Sequence, residues 1–267
     1  MSGIPTKRYG SDSINADKFT DEIREYGYAY YNGRVQPTVS TANGYSDPTG
    51  TTGDINRAIF HGGLGPLTSV YHVKGTQTLL APLLDTAEGL DVSQDQTDND
   101  GVEHVFGTLG VRGPYAWTVG THNGFVEIDF EIADVSGTDD CALGFRKQEA
   151  FQANIDDYDE AAFINVILGD VKVETILNGG TTTTTDSGEN WTDGETHTLR
   201  VDLKGRLVEY RLDGEELPGI PDFSFDSGEV VVPFFFFLQA TTTPGKVFWK
   251  HVRVGRQKAI STDGNGN

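Results

Sequence analysis

Residues 197–203 read HTLRVDL, and their polar and apolar side chains alternate strictly. Successive side chains of a β-strand point to opposite faces, so positions 199, 201 and 203 would share one face and positions 198, 200 and 202 the other. Residues 123–137, NGFVEIDFEIADVSG, begin with the same alternation. Both patterns predict strands that pack one face against a core and expose the other.

Similar runs continue from about Leu64 to residue 257, separated by turns rich in Gly, Asp and Asn. The chain contains 33 glycines and is 10% aromatic, and long stretches of helical periodicity are missing from its sequence. Short strands with frequent turn residues are typical of a β-sandwich. We therefore predict an all-β jelly-roll sandwich of antiparallel strands over residues 64–257.

Residues 1–63 differ in composition and are predicted to form an extended, partly helical N-terminal arm. A short helix is expected over Ala16–Tyr26, and the last ten residues, 258–267, are expected to be a disordered tail. Aromatic residues crowd into an otherwise core-poor segment, which favours docking onto another surface, with packing on its own domain as the alternative. The candidate docking residues are Phe19, Ile23, Tyr26, Tyr28, Tyr30 and Tyr31.

The run Val230–Leu238 (VVVPFFFFL) is continuously apolar, which predicts a strand that is covered on both faces. Pro233 cannot donate a backbone hydrogen bond, so we expect a bulge or an edge position there. One face would pack in the sandwich. We expect the N-terminal arm or a neighbouring subunit to cover the other.

Charge and cysteine content exclude several classes of protein. The formal net charge is -20 and the pI is about 4.5, which disfavours binding to nucleic-acid phosphates. The single cysteine, Cys141, excludes an internal disulfide framework and a cysteine-rich zinc site. The N-terminus lacks the apolar core of a secretory signal, and no apolar stretch is long enough to span a membrane. We expect a soluble protein made in the cytoplasm.

The C-terminal two thirds of the sequence resemble the concanavalin A-like lectin and glucanase superfamily. The resemblance depends on His197-Thr198-Leu199, Val208-Glu209-Tyr210 and Asp213-Gly214, which match a strand pair of that superfamily. The run His251–Gly255 matches its closing strand. The resemblance implies a jelly roll but does not decide between a hydrolase, a sugar-binding module and a structural module.

Glu127, Asp129 and Glu131 resemble the ExDxE strand of family-16 β-glucanases. The resemblance would make Glu127 the nucleophile and Glu131 the general acid/base, with Asp129 adjusting the charge between them. Alternation places all three on one face, but the two glutamates are separated by about 13 Å along a strand, whereas retaining hydrolysis needs carboxyl groups about 5–5.5 Å apart. Alternating acids are also typical of the solvent face of an acidic sandwich, and we commit to no catalytic residue.

A second acidic segment contains Asp95, Asp98 and Asp100, whose oxygens could bind Ca²⁺. The complete calcium-loop pattern is lacking, so an acidic turn is the favoured interpretation. We expect no metal and no cofactor.

The sequence leaves three hypotheses about function. The main one is a virion structural protein, a phage capsid decoration (cement) or head-associated protein that docks by its arm and oligomerises. It depends on the arm and on the resemblance of residues 131–166 to tailed-phage structural proteins. Its expected partners are capsid or other virion proteins and further copies of the chain, without nucleic acid or membrane. The alternatives are a family-16-like glycoside hydrolase that uses Glu127, Asp129 and Glu131, and a carbohydrate-binding module, with Trp117 as a fluorescent reporter of sugar binding.

Overall fold

The computed structural model describes residues 28–31, 38–42, 55–60, 67–75, 83–85, 87–93, 97–108, 116–240 and 245–257. The strands in these ranges are β1 (Tyr28–Tyr31), β2 (Thr38–Ala42), β3 (Ile55–Phe60), β4 (Leu67–Lys74), β5 (Leu83–Asp85), β6 (Gly89–Asp91), β7 (Gly101–Thr108), β8 (Trp117–Thr118), β9 (Asn123–Ile132), β10 (Thr138–Lys147), β11 (Ala161–Ile167), β12 (Asp170–Ile176), β13 (Thr183–Asn190), β14 (Thr196–Lys204), β15 (Leu207–Leu212), β16 (Glu215–Glu216), β17 (Phe223–Ser224), β18 (Val230–Gln239) and β19 (Val247–Gln257). Within the same ranges, helical structure is limited to short 3-10 turns at Val135–Gly137 and Ile155–Asp157. None of these described helices is long and apolar enough to cross a membrane.

The strands form two antiparallel sheets that pack face to face. The first sheet has the order β16-β15-β14-β9-β19-β6-β5, with β1 also paired to β19 and β17 to β15. The second has the order β13-β12-β11-β10-β18-β7-β4-β3-β2, with β8 also paired to β18. This architecture confirms the predicted all-β jelly-roll sandwich.

The core lies between the two sheets, and alternation supplies its side chains. Ile128 and Phe130 of β9 and Val201 of β14 are fully buried there, as the sequence pattern predicts. Phe235 reaches the same core from the second sheet and packs edge-on against Trp249 of β19, with ring centroids 5.2 Å apart. The opposite side chains of β9 and β14 therefore project away from the core.

A second apolar cluster lies on the outer face of the second sheet and explains the continuous apolar run of β18. Phe234 and Phe236 belong to this cluster, whereas Phe235 faces the core. Ile155 and Tyr158 cover it. The prediction of a strand buried on both faces is confirmed. The chain's own segment between β10 and β11 provides Ile155 and Tyr158 to this cover. A contribution from the arm or from a neighbouring subunit stays a prediction.

A buried ion pair holds this covering segment in place. Arg146 of β10 donates from Nε and Nη2 to the two carboxylate oxygens of Glu103 on β7, at 2.7 and 2.9 Å. Tyr158 donates its hydroxyl to Glu103 at 2.6 Å, and the Arg146 guanidinium lies over its ring. Both charged side chains are fully buried, so each depends on the other to offset its loss of hydration.

Pro233 lies inside β18, where the strand changes its partner on one side. There β18 pairs with β8 at Val230 and Val231 and with β7 from Phe234 onward. On the other side it pairs with β10 without interruption at this position. The proline thus occupies a local edge, as its missing N–H predicts.

Part of the predicted arm contributes strands to the sandwich. Strand β1 pairs with residues 252–255 of β19, and β2 and β3 extend the second sheet beside β4. The predicted helix over Ala16–Tyr26 and the predicted tail 258–267 lie outside the described residues. The division of the chain at residue 63 stays a prediction.

Candidate functional site

The outer face of the first sheet carries the predicted motif. Glu127, Asp129 and Glu131 all project from β9 on the side opposite the core, as alternation predicts. In register beside β9 lie β14 on one side and β19 on the other. The chemistry of the three carboxylates is therefore decided by the residues that these two strands present.

Glu127 lies between two arginines. It is paired in register with Arg200 of β14 and with Arg253 of β19. Arg200 donates from Nη1 to Oε2 at 2.9 Å, and Arg253 approaches Oε1 with Nη2 at 2.5 Å. The Arg200 guanidinium also stacks on the Phe125 ring, 4.2 Å from its centroid. Glu127 is only 8% exposed, so these contacts hold a carboxylate that water hardly reaches.

Asp129 accepts hydrogen bonds from both neighbouring strands. His251 Nδ1 lies 2.8 Å from Oδ2, and the Thr198 hydroxyl donates to Oδ1 at 2.8 Å. Burial alone would raise the pKa of Asp129, but these hydrogen bonds and the positive charge of Arg253 outweigh burial and lower the pKa. The middle acid of the motif is thus held in its ionised form.

Glu131 is held by Lys250 at a β-bulge. Lys250 donates to Oε2 of Glu131 at 2.8 Å and also contacts the backbone carbonyl of Glu88. In a regular strand, consecutive residues face opposite sides. Here the pairing of β19 with β9 shifts between Trp249 and His251. The bulge allows Lys250 and His251 both to reach carboxylates on the same face.

The pattern continues onto β15. Asp202 of β14 accepts from Arg200 Nη2 at 2.7 Å and lies 3.6 Å from Arg211 Nε. Glu209 is paired with both Arg211 and Lys204. Together these side chains form a surface that we call the charged face: Glu127, Asp129, Glu131, Thr198, Arg200, Asp202, Lys204, Glu209, Arg211, Lys250, His251 and Arg253.

Cations hold both outer glutamates of the motif. Glu127 accepts from Arg200 and contacts Arg253, and Glu131 accepts from Lys250. The two glutamates therefore contact different cations on either side of Asp129. The geometry provides an array of carboxylate, guanidinium and ammonium groups that hydrogen bonds and ion pairs hold together.

The tryptophans do not form a sugar-stacking surface. Trp117, Trp191 and Trp249 are all buried, and Trp117 has no exposed surface. Trp117 packs edge-on against Phe145 in the core, with ring centroids 5.4 Å apart. The expectation that Trp117 would report sugar binding directly is therefore wrong, because its ring lies between the sheets.

The acidic segment that contains Asp95, Asp98 and Asp100, for which Ca²⁺ binding was considered, is only partly described. Asp100 is buried and accepts from the Thr97 hydroxyl at 3.0 Å, which is typical of an acidic turn. Asp98 is exposed, and Asp95 lies outside the described residues. In the described ranges, no group of three or more His, Cys, Asp and Glu side chains is placed to hold a metal ion.

The candidate docking residues fall into two groups. Phe19, Ile23 and Tyr26 lie outside the described residues, whereas Tyr28, Tyr30 and Tyr31 belong to β1, which pairs with β19. The prediction that these residues bind another protein stays a prediction.

Sequence reasoning missed a second polar cluster, on the outer face of the second sheet. The side-chain amide of Asn165 donates from Nδ2 to two carboxylates, to Asp140 Oδ1 at 2.7 Å and to Glu174 Oε2 at 2.8 Å. Burial raises the pKa of Asp140 to about 7, and the charge of Glu174 also acts to raise it. These residues lie on three different strands, and their spacing in the sequence contains no signal that they meet.

Comparisons with known proteins add a few structural likenesses. No protein-family model and no curated protein matches the chain. Among solved structures, the chain is similar to a mutant of the Emp46p carbohydrate recognition domain, with a TM-score of 0.47, 8% identity and coverage of 69% of this chain and 87% of that one. It is also similar to the apo Crh5 transglycosylase, with a TM-score of 0.46, 10% identity and coverage of 85% and 87%. A third is the carbohydrate-binding module CBM66 from Bacillus subtilis, with a TM-score of 0.38, 16% identity and coverage of 70% and 92%.

Proposed function

We propose that the chain is a non-catalytic carbohydrate-binding module that binds its ligand on the charged face. The observation that carries this proposal is the difference between the two outer faces of the sandwich. An apolar cluster and the segment above it cover part of the outer face of the second sheet. The charged face keeps accessible polar groups, among them His251 and Arg253, whose side chains are 42% and 28% exposed.

The charged face has the hydrogen-bonding capacity that sugar hydroxyls require. Carboxylate oxygens accept, guanidinium groups donate, and a hydroxyl does both. The ion pairs fix these groups before a ligand arrives, which lowers the entropy cost of binding. Rigid strands carry the site, so little reorganisation is needed.

The same ion pairs argue against the hydrolase alternative. Catalysis by Glu127 and Glu131 would require one of them to act as an acid, but both are neutralised by Arg200, Arg253 and Lys250. Binding requires only that the array stays in place. The predicted virion role and virion localisation depend on partners and on the arm of residues 1–63, of which only 28–31, 38–42 and 55–60 are described, and they remain predictions.

The test is a binding screen of the full chain on a glycan array, followed by calorimetric titration. The key variant is Arg253→Gln, and the matched control is Lys172→Gln, a cation of similar exposure on the second sheet that is paired with Asp170. We expect Arg253→Gln to weaken binding at least tenfold and Lys172→Gln to leave it unchanged, with both proteins melting as cooperatively as the parent.

Two results would contradict the proposal. Failure of the parent protein to bind any glycan would remove the binding function. Release of reducing sugar by the parent that is lost in Glu127→Gln would show a hydrolase instead.

A further inference from the structure

We propose that the charged face selects a neutral oligosaccharide over chains that carry uronate or amine groups. This inference depends on the proposed carbohydrate-binding function and adds the chemical class of the ligand. It is carried by the pairing of charges across β9, β14, β15 and β19.

Among the twelve side chains of the charged face, carboxylates and permanent cations are equal in number, although the chain as a whole has a net charge of -20. Two further carboxylates, Glu88 and Glu216, lie 3.9 Å from Lys250 and Arg211. Five carboxylates are matched by five permanent cations, and each carboxylate has a cation or a histidine within hydrogen-bond distance. The carboxylates are Glu127, Asp129, Glu131, Asp202 and Glu209. The cations are Arg200, Arg253, Arg211, Lys250 and Lys204.

A charged ligand would have to break these pairs. A uronate could bind Arg200 or Arg253 fully only by drawing it away from Glu127, which is nearly buried and would lose its countercharge. An amine would compete in the same way for Glu127 or Asp202. The excess negative charge of the chain also repels an anionic polymer at long range.

A hydroxyl group can bind without breaking any pair. In the described contacts, Nη1 and Nη2 of Arg200 each donate to one carboxylate, and each of these nitrogens carries a second N–H. Each oxygen of Glu127 accepts from one arginine and has a further lone pair. The side chains of Arg200 and Glu127 are only 11% and 10% exposed, so a hydroxyl reaches such polar groups where the face is more open, at Lys250, His251 and Arg253.

The extent of the face indicates an oligosaccharide. Glu127 and Glu131 are separated by about 13 Å along β9, from about 3.3 Å per residue, and that distance exceeds the length of one sugar ring. Asp129 and its partners Thr198 and His251 fill the interval with further polar groups. A ligand that uses the whole strand must therefore contain several linked sugars.

The experiment titrates the full chain with three linear hexasaccharides: a β-linked glucose hexamer, a mannuronate hexamer and a glucosamine hexamer. Each titration is performed in low salt and in 0.5 M NaCl, for the parent, for Arg253→Gln and for the control Lys172→Gln. We expect the glucose hexamer to bind most tightly, with less than a twofold change of affinity between the salts, because salt screens only interactions between charges. Arg253→Gln should weaken this binding at least tenfold.

The failures are distinguishable. If the mannuronate or glucosamine hexamer binds more tightly, with an affinity that falls steeply in salt and depends on Arg253, the inference is overturned and the carbohydrate-binding function stands. If no hexamer and no glycan of the array binds the parent, the proposed function fails and this inference fails with it.

Discussion

Acidification provides a direct test of the core, because a histidine is buried there. His104 of β7 is fully buried. Its Nδ1 forms a hydrogen bond of 3.0 Å with the Ser69 hydroxyl, and its ring stacks on the ring of Tyr71. Burial lowers the pKa of His104 from 6.5 to about 3, and the neighbouring His72 also acts to lower it. Between these two values the unfolded chain binds a proton that the folded chain does not.

The magnitude follows from proton linkage. Because the pKa of His104 is lower in the folded chain than in the unfolded chain, protons bind preferentially to the unfolded chain. The free energy of unfolding therefore decreases as the pH falls below about 6.5, by roughly 1.36 kcal/mol per pH unit. Between pH 7 and pH 4.5, His104 should remove about 3 kcal/mol from the free energy of unfolding. Asp140 acts in the opposite direction, because its folded pKa is raised to about 7. Its protonation should add about 3 kcal/mol over the same interval.

The two effects nearly cancel in the parent protein, so variants are needed to separate them. The assay is urea unfolding at pH 7 and pH 4.5 of the parent, His104→Phe and Asp140→Asn. From pH 7 to pH 4.5, His104→Phe should gain about 3 kcal/mol relative to the parent, and Asp140→Asn should lose a similar amount. Loss of the Ser69 hydrogen bond lowers the stability of His104→Phe at both pH values and does not affect this difference. Equal pH responses in all three proteins, within about 0.5 kcal/mol, would refute the reasoning.

Three further predictions concern the second sheet. Arg146→Met should destabilise the protein by about 3–5 kcal/mol in urea unfolding, because it leaves Glu103 charged and buried; a loss below about 1 kcal/mol would contradict the buried pair. Gly144→Ala should cost about 1–3 kcal/mol or more, since a Cβ there would lie 2.2 Å from the Ala162 carbonyl oxygen, and an unchanged melting temperature would argue against this close approach. Burial raises the pKa of the Cys141 thiol, so iodoacetamide at pH 8 should modify it only after unfolding in urea; rapid modification of the native protein would place the thiol at the surface.

Alternation was sufficient to predict the sandwich and the common face of Glu127, Asp129 and Glu131. A period of two depends only on the local backbone, so it can be recognised in a single strand. The pairing partners could not be predicted in this way. Arg253 flanks Glu127 because of the register between β9 and β19, and the bulge at Trp249–His251 changes that register by one residue.

The cover over β18 shows a second limit. The apolar run of β18 predicted that both faces are buried, and this is confirmed. In sequence the covering segment is rich in acids, with Asp156, Asp157 and Asp159, a composition that is typical of a surface loop. Ile155 and Tyr158 carry the packing, and only the tertiary contacts with Phe234 and Glu103 identify them as buried.

The ExDxE pattern shows why a motif on one strand does not determine its chemistry. The charge state of a carboxylate depends on the groups opposite it, and here those positions hold Arg200 and Arg253 beside Glu127 and His251 beside Asp129. Apolar neighbours would raise the pKa of a carboxyl and favour an acid catalyst, whereas the hydrogen bonds and the positive charge beside Asp129 lower its pKa. The positions on β14 and β19 in register with the motif therefore decide which charges face its carboxylates, and the motif on β9 alone contains no information about them.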